Sequence, residues 1–566
     1  MQEIELKFQV PAAQRAAVDR ALAGRMPQPR VRLQAAYFDT AQRALATARL
    51  ALRVRREGRR RVQTLKGATA DGMTRLEHNV VLGPPAGSAA EPPQADPALH
   101  AGTPAGDRLF AALGLGIDGA DRADHVNRED RADHDDGGSA DRACGSALTG
   151  DPLAVLYRTD ILRRTRLQRS ALGRVELAFD SGSITAGDAT LAVCELEIEL
   201  LAGSPLAVLD VARRWLPRFG LWLDARSKSE RGDMLARGEA VAPPRLATTV
   251  SLTPKMSGDQ ALRCVLASCA DQVIGNASQI ACGEHTDEHV HQLRIGLRRL
   301  RTALQLFDRT IGSAPVSLPS RLEVSPMLAA AATTLFRRLG AARDQVVIEA
   351  GFAADLQAAL QAAGVPGNGP HAPASGADEA PDAVLRDAES QGLLLDLLAA
   401  TQAAHPAGST AGSTAGTSAE SSAPTPTARV ASADEPDLRG QLAARLNRWH
   451  RRAAADAKRY RTLDDAGRHR LRKQVKRLRY ALEFSAALFP RHAVRRYLAA
   501  LRAAQERLGA INDVVVAMEA FKRGRDTDPR AWFALGWLAA RREVLMAQAV
   551  PDLKKFASAK RFWKGG

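Results

Sequence analysis

Two periods of apolar and polar residues divide this 566-residue chain. Over residues 1–82 and 151–235 the two kinds alternate singly. Ile4, Leu6 and Phe8 interleave with Glu3, Glu5 and Lys7, while Leu52 and Val54 interleave with Arg53 and Arg55. Val175–Asp180 and Cys194–Leu200 repeat the pattern. A period of two puts successive side chains on opposite sheet faces, so these runs predict β-strands with one apolar and one charged face. Residues 256–362 and 437–560 instead carry Ala, Leu and Arg at the 3.6-residue spacing of long helices. A Pro-containing stretch at 239–255 separates the blocks, which predicts one domain over 1–238 and a second over 256–560.

Three segments break the periodicity. Gly83–Gly106, Gly116–Gly150 and Gly364–Pro436 are Pro/Gly/Ala/Ser-rich or strongly polar. They hold too little apolar surface to offset chain entropy and read as disordered insertions. The near-repeat Asp121–His125 and Asp130–His134 lies in the second, which favours solvated loop over a metal-ligand cluster.

Composition narrows the class. Hydrophobic residues at 45% and charged residues at 25% fit globular protein and exclude a collagenous or wholly disordered chain. No apolar run reaches the ~20 residues of a bilayer span, so no membrane partner is expected. The start Met1–Lys7 lacks the basic-then-apolar order of a secretory signal. The five cysteines form no CxxC pair, and a reducing cytoplasm is the expected compartment. The formal charge of +16 favours a polyanionic partner. Aromatics at 4% leave few stacking platforms, so nucleic acid is disfavoured.

The charged strand faces are unusual. Glu3, Glu5 and Lys7 point one way, as do Glu195, Glu197 and Glu199; Arg53 with Arg55, and Arg75 with Glu77 and Asn79, share faces as well, and so do Arg174, Glu176 and Asp180. A solvated outer sheet face accounts for alternation of this kind. A closed barrel with an ionic interior accounts for it too, and would offer carboxylates to hard divalent cations beside cations for phosphate oxygens. No Ser-His-Asp set, reactive cysteine or Walker-type glycine loop appears.

Glu3-Ile4-Glu5-Leu6-Lys7 is an ExExK signature. It is followed in order by Tyr37-Phe38-Asp39-Thr40, Leu52–Arg55, Leu65-Lys66-Gly67, Arg75-Leu76-Glu77, Cys194–Leu200 and Ser227–Gly232. In these motifs the first block resembles the CYTH family, the triphosphate tunnel enzymes that include class IV adenylate cyclases and thiamine triphosphatases. It is most similar to the bacterial two-domain inorganic triphosphatases. The resemblance implies an eight-stranded antiparallel tunnel open at both ends, hydrolysing inorganic triphosphate to pyrophosphate and phosphate with Mg²⁺ or Mn²⁺. It implies Glu3, Glu5, Glu77, Glu195 and Glu197 as metal ligands, and Glu3, Glu5, Lys7 and Lys66 as the catalytic set. Lys7, Arg53, Arg55, Lys66, Arg75, Arg164 and Lys228 would hold phosphate, with Arg158, Arg163 and Arg166 competing for the place given to Arg164. Lys228 lies in the segment that would plug one end. Asn79 departs from the acid that many members carry there. Organic triphosphate hydrolysis and ATP cyclisation use the same tunnel and stay open, as does a non-catalytic scaffold.

The helical block contains a duplication. His291-Gln-Leu-Arg294-Ile-Gly-Leu-Arg298-Arg-Leu-Arg301 matches His469-Arg-Leu-Arg472-Lys473-Gln-Val-Lys476-Arg-Leu-Arg479, and each copy is followed by a Leu-Gly-x-x-x-Asp segment, at 339–344 and 508–513, that reads as a turn. At 3.6 residues per turn His291, Arg294, Arg298 and Arg301 fall within an arc of about 80°, opposite Leu293, Leu297, Leu300 and Leu304. His469, Arg472, Lys476 and Arg479 repeat this against Leu471, Val475, Leu478 and Leu482. Neither core segment contains an acid, so i,i+4 carboxylate partners are not expected. Two apolar faces joined in one bundle would leave two basic stripes related by a pseudo-twofold. These residues resemble the CHAD domain, which implies paired four-helix bundles binding long-chain inorganic polyphosphate through His291, Arg294, Arg298, Arg301, His469, Arg472, Lys473, Lys476 and Arg479. Arg343 is a further candidate, and Asp344 reads as structural. The expected whole is a multidomain α+β protein, a β tunnel with flanking helices followed by an all-α domain, in the cytoplasm or on polyphosphate granules.

Overall fold

The computed structural model describes residues 2–24, 29–58, 60–68, 73–83, 94–115, 152–308, 321–366, 369, 379–402 and 437–564. Residues 1–243 and 244–566 form two compact units. The first contains β1 (Gln2–Gln9), β2 (Val31–Asp39), β3 (Leu50–Glu57), β4 (Arg60–Ala68), β5 (Thr74–Leu82), β6 (Ala154–Ser170), β7 (Gly173–Ala186), β8 (Ala189–Gly203) and the two-residue β9 (Trp222–Leu223). Around them lie α1 (Arg15–Ala23), α2 (Ala44–Thr47), α3 (Pro104–Leu113), α4 (Leu206–Phe219) and α5 (Lys228–Ala236).

Every pairing is antiparallel, and the order β1-β8-β7-β6-β2-β3-β4-β5 closes because β5 returns to β1. β1 achieves this by splitting its length: Gln2–Ile4 pair with β5 and Glu5–Gln9 with β8. The eight-stranded barrel therefore has no free edge between β5 and β1.

Cross-strand partners share a face, so the register carries the inside–outside assignment around the ring. Lys7 pairs with Glu197, Glu197 with Ala178, and Asp180 with both Glu195 and Arg163. Glu77 pairs with Lys66, Asn79 with Thr64, and Thr64 with Arg53. These residues line the lumen. The alternate set faces outward, where Leu6, Phe8, Leu52, Leu65, Leu196 and Ile198 are buried at 4% exposure or less. Ala36, Leu45, Leu52, Leu65 and Leu109 join β2, β3 and β4 to α2 and α3 in one apolar layer.

The alternation of the sequence is thus resolved inside out. The charged face is the protected one, because helices cover the apolar face. Part of the first expected insertion is ordered: Pro97–His100 form a 3-10 turn and α3 follows. His100 is fully buried against His78 (Nδ1 to Nδ1, 2.9 Å) and Gln63 (3.1 Å). Residues 116–150, with the Asp/His repeat, lie outside the described residues.

The second unit comprises α6 (Gly258–Ala281), α7 (Asp287–Leu306), α8 (Arg321–Arg338), α9 (Gly340–Ala362), α10 (Pro381–Arg386), α11 (Ala388–Thr401), α12 (Leu438–Lys458), α13 (Asp465–Ser485), α14 (Arg491–Gly524) and α15 (Ala531–Ser558). α6, α7, α8 and α11 pack as one bundle and α12–α15 as the other; α7 meets α13, and α9 crosses to α14 and α15. Leu293, Leu297, Leu300, Leu471, Val475 and Leu478 are all at 0% exposure, as the duplicated apolar stripes require.

Two expectations fail here. Residues 381–401 belong to no disordered insertion: Leu393, Leu394, Leu395, Leu397 and Leu398 of α11 are buried at 2% or less. The dense leucine run outweighs the Gly/Ser-rich flanks. The second Leu-Gly-x-x-x-Asp is also no turn, since Leu508–Asp513 run through α14 unbroken, whereas Leu339 separates α8 from α9. A mid-helix glycine costs about 1 kcal/mol, which the packing of a 34-residue helix absorbs. Among the described residues no helix is long and apolar enough to cross a membrane, and the cysteines present are free.

Leu397→Ala leaves a cavity among α11 and its neighbours. It is expected to destabilise the chain by about 2–5 kcal/mol in chemical denaturation, whereas a disordered 364–436 would show no change.

Candidate active site in the barrel lumen

The lumenal charges form two adjoining sets. In the first, Lys66 Nζ lies 2.5 Å from Glu3 and 3.5 Å from Glu77, Arg75 Nε is 3.1 Å from Glu5, and Lys7 pairs with Glu5. Burial alone would raise the Glu5 carboxyl, but Lys7, Lys66 and Arg75 outweigh it and hold the group at about 2. Glu3 moves the other way, raised by burial and by the Glu5 carboxylate against the pull of Lys66. Glu199, opposite Glu5 in the register, is pushed up to about 7 by burial and by the Glu3 and Glu5 carboxylates.

The second set centres on Asp180, Glu195 and Glu197, each with a carboxylate oxygen within 4.8 Å of the other two. Lys228 Nζ lies 2.6 Å from Asp180 and 3.0 Å from Glu197 and also pairs with Glu195. Arg163 grips Asp180 through Nε and Nη2, both at 2.6 Å, and pairs with Glu197; Arg231 pairs with Glu195. Lys7 links the sets, 3.9 Å from Glu197. Burial opposes the ionisation of Glu197, yet Lys228, Arg163 and Lys7 hold its carboxyl well below the ordinary range.

Arg53 and Arg55 face the same space from β3. Arg53 Nη1 donates to Tyr37 Oη at 3.1 Å, and Arg55 pairs with Glu57. The Nε of each is buried without a hydrogen-bond partner among the described residues. A buried donor left unmatched costs roughly 1–3 kcal/mol, so both nitrogens are poised for an acceptor that the described residues do not supply. The lumen thus fits a phosphate anion on its donors. Its hard carboxylate oxygens fit a divalent cation of the Mg²⁺ or Mn²⁺ kind. Asn79 is turned to structure, accepting from Thr64 (2.7 Å) and donating to Glu77 (3.0 Å).

One end of the lumen is filled, so the tunnel is not open at both ends; the segment that begins at Lys228 closes it, as the resemblance implied for that segment. Leu33, Ala35, Tyr37, Tyr157, Ile161 and Val193 form an apolar layer, and α5 seats Leu235 on it. Tyr37 and Tyr157 stack at 4.7 Å, and Tyr157 Oη donates to Ser229 at 3.1 Å. A Cβ at Gly232 would stand 2.3 Å from the Tyr157 ring, so glycine permits the close approach of the helix. The first turn of α5 is fixed by a capping box in which Ser227 Oγ accepts from the Glu230 N–H and the Glu230 carboxylate accepts from the Ser227 N–H. That places Lys228 and Arg231 on the carboxylates.

Glu3, Glu5, Lys7, Arg53, Arg55, Lys66, Arg75, Glu77, Glu195, Glu197 and Lys228 therefore converge, but Arg164 does not. Its register partner is the outward Phe179, and its Nε donates to Asp19 of α1 at 2.8 Å. The lumenal arginine of β6 is Arg163, because residues one apart on a strand face opposite ways. Arg158 is exposed, and Arg166 donates to the Ala21 carbonyl. Asp180, Arg231 and Tyr37 were not singled out as site residues. The register turns Asp180 of β7 and Tyr37 of β2 inward, and the capped first turn of α5 brings in Arg231.

In the helical unit the two repeats bring cations together. Lys476 of α13 is pushed down to about 6 by burial and by the charges of Arg472 and Arg298, with Asp513 opposing. Arg298 and Lys476 occupy equivalent places in the repeats, so the two stripes meet there. Burial and Arg337 lower Arg301, and burial with Lys473 and Arg472 lowers His469. Arg294 is largely committed to structure: its Nη1 donates to the Leu339 carbonyl at 2.6 Å and its guanidinium covers Phe336 at 4.3 Å. Arg479 does find an i,i+4 acid, Glu483 at 3.4 Å, just beyond the core segment. The side chains of Arg343 and Asp344 lie outside the described set.

Residues 1–232 match the family model of a CYTH domain, and residues 264–522 that of a CHAD domain. Among solved structures, the CHAD domain of Ricinus communis is 24% identical, covering 55% of this chain and 96% of its own, with a TM-score of 0.40. A putative adenylate cyclase from Bacillus halodurans is 14% identical over 40% of this chain and 96% of its own, at 0.25. A putative adenylyl cyclase from Hippeastrum, described as revealing a dominant triphosphatase activity, is 16% identical over 42% and 97%, at 0.26.

Neighbouring arginines on β6 are expected to behave differently. Arg163→Met strips a partner from two buried carboxylates and costs about 3–5 kcal/mol in denaturant titration. Arg164→Met loses a half-buried pair on the outer face and costs about 1 kcal/mol or less.

Proposed function

We propose, from the premise that this chain is a CYTH domain followed by a CHAD domain, that its barrel hydrolyses inorganic triphosphate to pyrophosphate and phosphate. The observation that carries this reading is the ionic lumen, where carboxylates and cations face each other and the buried Arg53 and Arg55 Nε atoms lack acceptors. A tunnel domain of this family makes triphosphate chemistry with a divalent metal the coarse expectation. Inorganic triphosphate is the finer reading.

Phosphoryl transfer asks for positioning and charge neutralisation more than covalent chemistry. Arg53 and Arg55 present guanidinium forks to non-bridging oxygens, while Lys7, Lys66 and Arg75 add charge nearby. Glu3, Glu5, Glu77, Glu195 and Glu197, joined by Asp180, would hold Mg²⁺ or Mn²⁺. The cation would draw charge from the phosphate oxygens and ease the approach of water. The apolar layer under α5 excludes water from one end and supports a substrate that enters and leaves by the other.

We further infer that the helical unit holds inorganic polyphosphate. Its converging cations, Arg298, Lys476, Arg472 and Arg479, suit a flexible polyanion that offers no bases to stack.

Two outcomes test these readings. Glu5→Gln is expected to keep its circular dichroism spectrum and lose about 100-fold or more in phosphate release. The assay pairs triphosphate, pyrophosphate, ATP and thiamine triphosphate with Mg²⁺ and with Mn²⁺, and preference for ATP or thiamine triphosphate would displace the inorganic substrate. The second test is pH. Lys476 titrates near 6 in the free protein and at 10.5 ordinarily, and a bound polyanion draws it back up. Polyphosphate binding then takes up a proton between these values, so affinity falls as pH rises through that window, by at most about tenfold per unit. Calorimetry in buffers of different ionisation enthalpy should show the uptake, and Lys476→Arg, permanently charged, should abolish it.

A further inference from the structure

Lys228 is the first residue of α5, and its ammonium sits among Asp180 at 2.6 Å, Glu197 at 3.0 Å and Glu195. Asp180 and Glu195 have no exposed surface and Lys228 only 8%. Three oxygens of three carboxylates around one small cation is the donor arrangement a hard divalent ion would take. Arg163 and Arg231 complete the set, and Lys7, itself paired with Glu5, stands 3.9 Å from Glu197, so the three carboxylates are already neutralised as they stand. A divalent cation added to a balanced, buried cluster leaves two uncompensated charges, which is costly away from water. The ammonium is the group able to yield. It stands at the end of a flexible four-carbon stem, whereas Arg163 is held by two parallel bonds to Asp180.

We propose that Lys228 is a tethered counter-ion that fills the cation position between Asp180, Glu195 and Glu197 in the metal-free protein, and that a divalent ion enters there only by displacing it into the lumen. The proposal rests on the metal-dependent reading of the barrel and adds to it a built-in competitor. The displaced ammonium needs a new anion, and a phosphate chain beside Arg53 and Arg55 supplies one. Metal at this cluster and phosphate in the lumen are then linked, each favouring the other. α5 keeps its seat throughout, because Tyr157–Ser229, Arg43–Asp233 (2.9 Å) and Leu235 hold it independently of Lys228.

The test is Mn²⁺ binding to the full chain without substrate, followed by electron paramagnetic resonance. Lys228→Met should bind Mn²⁺ at least about tenfold more tightly than the wild type, since the competitor is gone. Arg55→Met removes the same charge from the lumen without touching the three carboxylates, and should change affinity by less than about twofold. A second readout uses the wild type alone: acetylation of Lys228, followed by mass spectrometry, should rise several-fold when Mn²⁺ saturates the protein. Equal Mn²⁺ affinity in wild type and Lys228→Met, an equal gain in Arg55→Met, or Lys228 acetylation indifferent to Mn²⁺ would overturn the counter-ion role. Absence of Mn²⁺ binding in all three proteins would overturn the metal-dependent reading itself, and this inference with it.

Discussion

Asp180 and Glu195 have no contact with solvent, and both are ion-paired, Asp180 with Lys228 and Arg163 and Glu195 with Lys228 and Arg231. Charge confined in this way must be matched nearly one for one, because an unpaired buried ion costs several kcal/mol. That requirement shapes the amino-terminal unit. Carboxylates of β7 and β8 meet the arginine of the neighbouring β6, and α5 is drawn in by two cations on its first turn. The barrel exterior can then be apolar, since helices cover it.

The helical unit resolves a different imbalance. Its duplicated stripes bring Arg298, Arg472, Lys476 and Arg479 close together, with Asp513 opposing their effect on the lysine. Burial and mutual repulsion depress the lysine. Stability there comes from the leucine faces of α7 and α13 and from the crossing of α9 onto α14 and α15. Some stripe cations also serve the fold, as Arg294 does at the end of α8. The two units thus use charge oppositely, one by internal balance and the other by local excess.

The insertions show how composition misleads at short range. Gly364–Pro436 averages as a low-complexity tract, yet Leu393–Leu398 within it is dense enough to nucleate α11 and fill the space between α6 and α8. His100 lay in a Pro/Ala-rich stretch and proves to be buried against Gln63 and His78. In each case a few side chains with somewhere to pack decided the matter, and averaged composition cannot represent a packing partner.

Strand alternation, the ExExK start, the ordered motifs and the duplicated His/Arg/Leu pattern were legible because each is local, set by period and spacing along one element. They carried the two-unit architecture, the antiparallel strands, the basic stripes and most lumenal residues from Glu3 to Lys228. Alternation alone did not say which way each face turned, because it is identical for an ionic surface and an ionic lumen; the resemblance to the tunnel family supplied the inward choice, and ring closure bears it out. The choice of Arg163 over Arg164 was not legible, since it depends on a one-residue register against Asp180. The plug of one end by the Lys228 segment was expected, but the Tyr37–Tyr157 layer beneath it was not, nor was the pairing of Lys228 with three carboxylates from two strands. Those facts arise from contacts between residues far apart in the chain, and only ring closure, with the need to neutralise what it buries, brings them together.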